Sequence, residues 1–310
     1  MTLPEERRKI RPLHHDDKIA ISRELQVKTL EEIARIAQPT AREMIFHGGT
    51  GVSLVHGSPR WSEDLDFMAT RAAVDRLFGK NEILASRLQL AFSARTPGAE
   101  IAVADKNDGG GHLEDGSLAR WMVRWSHPDV RGVVKIKVEF YLCAEERLAA
   151  YPSQMALPHA PEYASKEALP CAELISVWSD KIVAMASRPV IKYRDLHDLG
   201  YIAPLLEAAN VSEEDRVSAL KASMGIYGRK ASEIAEGLAR PIVQEGIADE
   251  AAWAEDMRRW FAGEAYEEMA TEKRLEDLLS KFHTEFSTGL RVVDALCEAE
   301  KSCDAEEPRW

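Results

Sequence analysis

Apolar side chains fall at helical spacing over residues 19–37, where Ile21, Leu25, Leu30, Ile33 and Ile36 fit one broad stripe and predict an N-terminal amphipathic helix. Met44-Ile45-Phe46 is then a short apolar run halted by Gly48-Gly49, and Val52, Leu54 and Val55 resume beyond it, an order that reads strand, glycine turn, helix. In Asp64-Leu65-Asp66-Phe67-Met68 acids alternate with apolar residues, so a period of two sets both acids on one face of a second strand. A helix is expected around 71–90, and the Gly- and Asp-rich interval between 105 and 117 reads as a hairpin or loop. Strands return at 121–125 and most plainly at 133–142. There Val134, Ile136, Val138, Phe140 and Leu142 occupy one face, while Lys135, Lys137 and Glu139 share the other with Val133 and Tyr141. Prolines mark 151–170 as a connection, and helical spacing fills the remainder. The patterns predict an N-terminal α+β domain over 1–150 and a C-terminal helical domain over 151–310.

A chain of 310 residues suits two ordinary domains, and 45% hydrophobic against 30% charged residues supplies the apolar surface for a sizeable core. No apolar run approaches the roughly 20 residues of a membrane-spanning helix. The charged N-terminus lacks a signal-peptide h-region, so the cytoplasm is the expected address. Cys143, Cys171, Cys297 and Cys303 form no CxxC pair and read as free thiols. A net charge of −12 argues against a broad basic surface for duplex DNA. The run Arg7, Arg8, Lys9, Arg11 is either a local basic groove or a solvated tail, and the acidic end after Cys303 is expected to fray.

The chemistry concentrates in residues 46–67, FHGGTGVSLVHGSPRWSEDLDF. Gly48 and Gly49 let a backbone approach a phosphate without Cβ obstruction, N–H groups at the start of the following helix can receive its charge, and Thr50 can add a hydroxyl donor. Asp64 and Asp66, two residues apart on a strand, point the same way and can jointly hold Mg²⁺ or Mn²⁺ against a triphosphate. A Walker A loop is excluded because no GK[ST] follows the glycines, and GGTG lacks the Rossmann spacing.

These residues resemble the nucleotidyltransferase superfamily typified by DNA polymerase beta, in which a glycine turn is followed by a DxD strand. More narrowly, GGT followed by Arg60-Trp61-Ser62-Glu63-Asp64-Leu65-Asp66 is similar to the R-x-S-x-D-x-D pattern of the AbiEii/AbiGii toxin family. Asp180-Lys181 with Lys192-Tyr193-Arg194-Asp195-Leu196-His197-Asp198 is similar to that family's lysine helix and K-x-R-D-x-x-D segment. The resemblance covers roughly residues 40–200. It implies a polymerase-beta-like core with a mixed sheet, followed by helices. It also implies transfer of a nucleoside monophosphate from an NTP to an acceptor hydroxyl, such as the tRNA 3′ end, by a toxin paired with a separate antitoxin. Two other readings stay open: a nucleotide-binding interaction protein without turnover, and an aminoglycoside-type small-molecule nucleotidyltransferase.

On that resemblance Asp64, Asp66, Lys181 and Asp195 are the catalytic set, and Glu139 joins Asp64 and Asp66 as the third metal carboxylate. Gly48, Gly49, Thr50, Arg60, Ser62, Arg194 and Asp198 are the expected substrate contacts. Each has a plainer alternative. Glu139 can instead pair with Lys135 or Lys137, Lys181 can snorkel beside the core, and Arg194 and Asp198 can form an i,i+4 pair. Arg60 and Ser62 can serve a local turn. His47 and His56 read as structural hydrogen-bonders, and the tryptophans at 121, 125, 178, 253 and 260 as core.

Overall fold

The computed structural model of the protein describes residues 10–107 and 114–306. Arg7 to Lys9 of the basic run, residues 108–113 of the glycine-rich interval and the last four residues of the acidic tail lie outside them.

Helix α1 (His15–Ala37) carries Asp16 and Asp17 in its first turn, where carboxylates favour the positive end of the helix dipole. It ends where Gln38 turns left-handed at φ 46° ahead of Pro39. Short helices α2 (Gly48–Leu54) and α3 (Arg71–Asp75) follow, then α4 (Asn81–Ser93). The helix expected over 71–90 is thus two, separated at Gly79, whose φ of +70° breaks the turn.

Seven strands build one mixed sheet: β1 (Met44–His47), β2 (Leu65–Ala69), β3 (Glu100–Asp105), β4 (Leu118–Ser126), β5 (Val133–Leu142), β6 (Ser153–Ala156) and β7 (Leu169–Ala172). Their spatial order is β3-β4-β5-β2-β1-β7-β6, with β2–β5 and β1–β7 parallel and the other pairs antiparallel. Strands β6 and β7 come from beyond residue 150, where prolines suggest only a connection. Each is four residues long, and Pro170 lies within β7, a combination that hides a strand from propensity arguments.

Alternation across the sheet separates two cores. Met44, Phe46, Leu65, Phe67, Val134, Ile136, Val138 and Phe140 pack together with Leu25, Leu30 and Ile33 of α1 and Leu84 and Leu88 of α4. Phe46, Phe67 and Phe140 form a ladder across β1, β2 and β5, with ring centroids 5.3 and 5.0 Å apart. Ile45 and Met68 face the other way, into a core with Trp178, Ile182, Leu196, Leu199 and Phe282. The second core belongs to α6 (Leu174–Ser187), α7 (Tyr193–Ala208), α8 (Glu213–Tyr227) and the helices that follow. Short α5 (Glu145–Ala149) precedes them, and the chain closes with α9 (Ala231–Leu238), α10 (Pro241–Ala248), α11 (Glu250–Met257), α12 (Gly263–Met269) and α13 (Glu272–Glu306). The tail expected to fray after Cys303 is helical as far as Glu306.

Cys143, Cys171 and Cys297 are free, and burial pushes the thiols of the first two up to about 11 and about 12. All five tryptophans read as core are buried. Among the described residues no helix is long and apolar enough to cross a membrane.

Candidate active site

Because Phe67 and Phe140 point into the first core, period two turns Asp66, Lys137 and Glu139 toward the helices. The parallel pairing sets Asp66 directly beside Glu139, and the antiparallel pairing sets it beside His47. The chain leaves β1 through Gly48 at φ +77°. A Cβ there would lie 2.6 Å from Asp66 Oδ2, and one on Gly49 would lie 2.6 Å from Arg60 Nη2 and 3.0 Å from Ser62 Oγ. The diglycine bend therefore makes room for this chain's own acid and guanidinium, a more immediate demand than approach to a phosphate.

The bend, β2, β5, α6 and the start of α7 enclose a cavity of about 430 Å³. Asp64, Asp66 and Glu139 form its acidic side. Lys137 Nζ lies 3.2 Å from Asp64 Oδ2 and 3.0 Å from Glu139 Oε2, and Arg120 Nε donates to Glu139 Oε1 at 2.8 Å. Burial pushes the Asp66 carboxyl up; the nearby His47 and Lys137 oppose the shift and Glu139 adds to it. Burial also raises Asp64, against the pull of Lys137 and with the push of Asp66 and Glu139. Burial disfavours the Lys137 ammonium, but its two carboxylate partners outweigh that and hold its proton more tightly.

A second wall is cationic. Lys181, Arg188 and Arg194 border the cavity together with Asp195. Behind them runs a buried network in which Arg60 grips Asp198 through Nε and Nη2 at 2.7 and 2.8 Å. Lys181 Nζ reaches Asp198 Oδ2 at 2.6 Å and Asp195 Oδ1 at 2.8 Å, and Arg188 donates to the other oxygen of Asp195. Burial works against both carboxylates, yet the cations outweigh it: Lys181 and Arg188 hold Asp195 below the usual range, and Arg60 and Lys181 hold Asp198 well below it.

The cavity thus gathers Gly48, Gly49, Ser62, Asp64, Asp66, Glu139, Lys181, Arg194 and Asp195 from the sequence reading. Thr50, Arg60 and Asp198 stand behind its wall. Thr50 is fully buried and donates its hydroxyl to the Asp64 carbonyl, while Arg60 is 1% and Asp198 0% exposed. Arg194 does not pair with Asp198, whose oxygens already serve Arg60 and Lys181; its guanidinium lies 5.2 Å from the centroid of the Trp260 ring. Glu139 does make the lysine pair offered as its alternative.

The sequence reading missed Lys137, Arg188, Asp180 and the pair Tyr141 and Tyr227, and set His47 aside. Lys137 and Tyr141 were visible as the polar face of β5. His47 ends β1 at the bend and lies 3.2 Å from Asp180 Oδ2 through Nδ1, a partner 133 residues away. Tyr151 and Ser223 also donate to Asp180, at 2.8 and 2.7 Å. His56, by contrast, bonds the Ala172 carbonyl and is structural.

A family model described as nucleotidyl transferase AbiEii toxin, type IV TA system, matches residues 33–281. No curated protein matches the sequence. Similar solved structures include JHP933 from Helicobacter pylori, 17% identical over 94% of this chain and 99% of that one, with a TM-score of 0.43. A nucleotidyltransferase from H. pylori is 17% identical over 90% and 98%, with a TM-score of 0.47. MenT4, a nucleotidyltransferase toxin from Mycobacterium tuberculosis H37Rv, is 18% identical over 90% and 94%, with a TM-score of 0.46. The family match spans both walls of the cavity, the DxD strand and the lysine helix alike, and on it this chain belongs to the AbiEii nucleotidyltransferase toxins of type IV toxin–antitoxin systems.

Proposed function

We propose that the protein transfers a nucleoside monophosphate from an NTP to an acceptor hydroxyl, with the tRNA 3′ end as the acceptor. The observation that carries this reading is the facing of Asp64 and Asp66 by Lys181, Arg188 and Arg194 across one cavity, a charge pattern complementary to a metal-bound triphosphate.

Asp64 and Asp66 are the ligands for Mg²⁺ or Mn²⁺, with Glu139 as the third carboxylate once its pairs with Lys137 and Arg120 open. Among the described residues no three His, Cys, Asp or Glu side chains are already gathered closely enough to hold a metal ion. The donors nonetheless fit a hard divalent cation: they are all-oxygen, and Asp64 and Glu139 already draw an ammonium between them. Bound there, the metal supplies charge neutralisation on the phosphoryl oxygens and a lowered pKa for the acceptor hydroxyl.

Lys181 and Arg188 receive the β- and γ-phosphates, and Arg194, stacked on Trp260, adds a third cation. Asp195 orients Lys181 and does not act as a base, because its oxygens are taken and its proton affinity is lowered. Arg60 and Asp198 support the wall from behind. Gly48, Gly49 and Ser62 border the phosphates. The acceptor oxygen bonds to the α-phosphorus, the bond from that phosphorus to the bridging oxygen breaks, the acceptor's proton leaves to solvent and pyrophosphate departs. A separately encoded antitoxin restrains the activity, which is exercised in the cytoplasm.

The test is incubation of purified protein with Mg²⁺, labelled NTPs and bulk tRNA. Label entering tRNA with wild type and not with Asp64→Ala supports the proposal; label entering only small hydroxylated compounds replaces the acceptor. Absence of transfer to any acceptor overturns it.

A further inference from the structure

Two tyrosines in the cavity wall have no part in the chemistry above. Tyr141 follows Glu139 by two residues on the same face of β5, and Tyr227 is the last residue of α8. Both border the cavity beside Leu118, and their ring centroids lie 5.4 Å apart at 50°. Among the described residues neither hydroxyl makes a hydrogen bond, whereas Tyr151 donates to Asp180 at 2.8 Å and Tyr201 to the His56 carbonyl at 3.0 Å. Both residues are half-buried, and with no protein partner among the described residues their hydroxyls are open to whatever fills the cavity.

The same cavity is lined by these tyrosines and by the phosphate-directed cations. Ser223, one helical turn before Tyr227 on α8, donates to Asp180, which sets this tyrosine on the Asp180 side of the cavity. Arg188 and Lys181 meet on the two oxygens of Asp195, which gathers both cations on the α7 side of the cavity. The cavity therefore offers aromatic surface, carboxylates and guanidinium together, the chemistries that suit a base, a metal and terminal phosphates. Among the described residues no Asn or Gln lines it.

The geometry points to Tyr141 and Tyr227, with Leu118, as the subsite for the nucleobase of the triphosphate, held by stacking and by the two phenol hydroxyls. The inference rests on the nucleotidyl-transfer reading. Stacking accepts any base because every base has a π-face, so discrimination among NTPs is weak and falls to the hydroxyls.

The experiment measures the affinity of the full chain, with Mg²⁺, for each NTP and for inorganic tripolyphosphate, the same charge without a base. Tyr141→Ala is expected to weaken NTP binding by roughly 5- to 100-fold and leave tripolyphosphate unchanged, with Tyr141→Phe recovering most of the loss. Tyr141→Leu, which keeps bulk without the ring, replaces the alanine variant if that fails to fold. Equal weakening of both probes, no weakening of either, or a rise confined to the KM of the acceptor overturns the subsite while the enzyme stands. Failure of the wild type to bind any NTP overturns the nucleotidyl-transfer reading and the subsite with it.

Discussion

Arg60 and Asp198 are separated by 138 residues in sequence, yet the guanidinium and carboxylate meet in a two-pronged pair whose side chains are both 0% exposed. The pair ties the loop before β2 to α7, and with it the acidic wall to the cationic one. Removing one partner leaves the other charged and buried, which typically costs about 3–5 kcal/mol. Arg60→Ala and Asp198→Ala are each expected to lower stability by about that much in urea unfolding. The double variant should lose clearly less than the sum, because no orphan charge remains; strict additivity would count against the pair.

Asp198 and Asp195 also shape the acid limb. Their folded proton affinities lie below the unfolded values, so the stability they contribute is fully present above about pH 4, the unfolded carboxyl range, and is lost as pH falls through the folded values. The urea midpoint should therefore drop steeply below about pH 4. In Asp198→Asn the drop should be shallower, and an unchanged slope would separate this carboxylate from acid unfolding.

Asp66 behaves in the opposite sense. Its folded proton affinity is raised, so the folded state binds the extra proton and stability falls as pH climbs from the unfolded value to the folded one. Asp66→Asn should abolish transfer and yet melt higher than wild type at pH 7 without metal, on the order of 2–4 °C for each kcal/mol recovered. Mg²⁺ or Mn²⁺ should raise the wild-type Tm and leave the variant's unchanged. Melting curves that respond equally to metal would remove Asp66 from the ligand set.

Lys137 competes with a divalent ion for Asp64 and Glu139. Lys137→Met is expected to bind Mn²⁺ roughly 5- to 10-fold more tightly, about 1 kcal/mol for a half-exposed ion pair. Calorimetric titration reads the difference, and weaker binding by the variant would mean that the ammonium assists the metal.

Gly48→Ala strains a left-handed residue, by about 1–2 kcal/mol, and drives a methyl group to 2.6 Å from Asp66 Oδ2. Transfer should fall by at least roughly 100-fold, in line with the sensitivity of catalysis to a misplacement of about 1 Å, while the circular dichroism spectrum stays native. Retention of full transfer would show that Asp66 tolerates displacement.

What the sequence made legible follows the range over which each signal acts. The ten-residue alternation of β5 and the stripe of α1 are local patterns and mark their elements closely. The DxD strand and the lysine helix carry ordered motifs, so Asp64, Asp66, Lys181 and Asp195 reach one cavity as expected. Partner choice is another matter. Helical spacing alone offers Arg194 to Asp198, but burial lets only the best-placed cations stay, and those arrive from β2's approach loop and α6. The His47–Asp180 contact and the Arg188–Asp195 pair likewise depend on how the helices settle on the sheet. The glycines are legible as a bend, whereas Asp66 and Arg60, which fill the space they leave, are not legible as its occupants.

The phenylalanine ladder under the acids has a consequence for where loss-of-function changes arise. Phe67 and Phe140 flank Asp66 and Glu139 in sequence and lie stacked on the reverse of the same two strands. The spacing of the carboxylates is consequently inherited from apolar contacts on the opposite face of the sheet. Trimming either ring would slacken the grip on a metal from the far side of the sheet, so inactivating substitutions should be found as readily beneath α1 as within reach of a nucleotide.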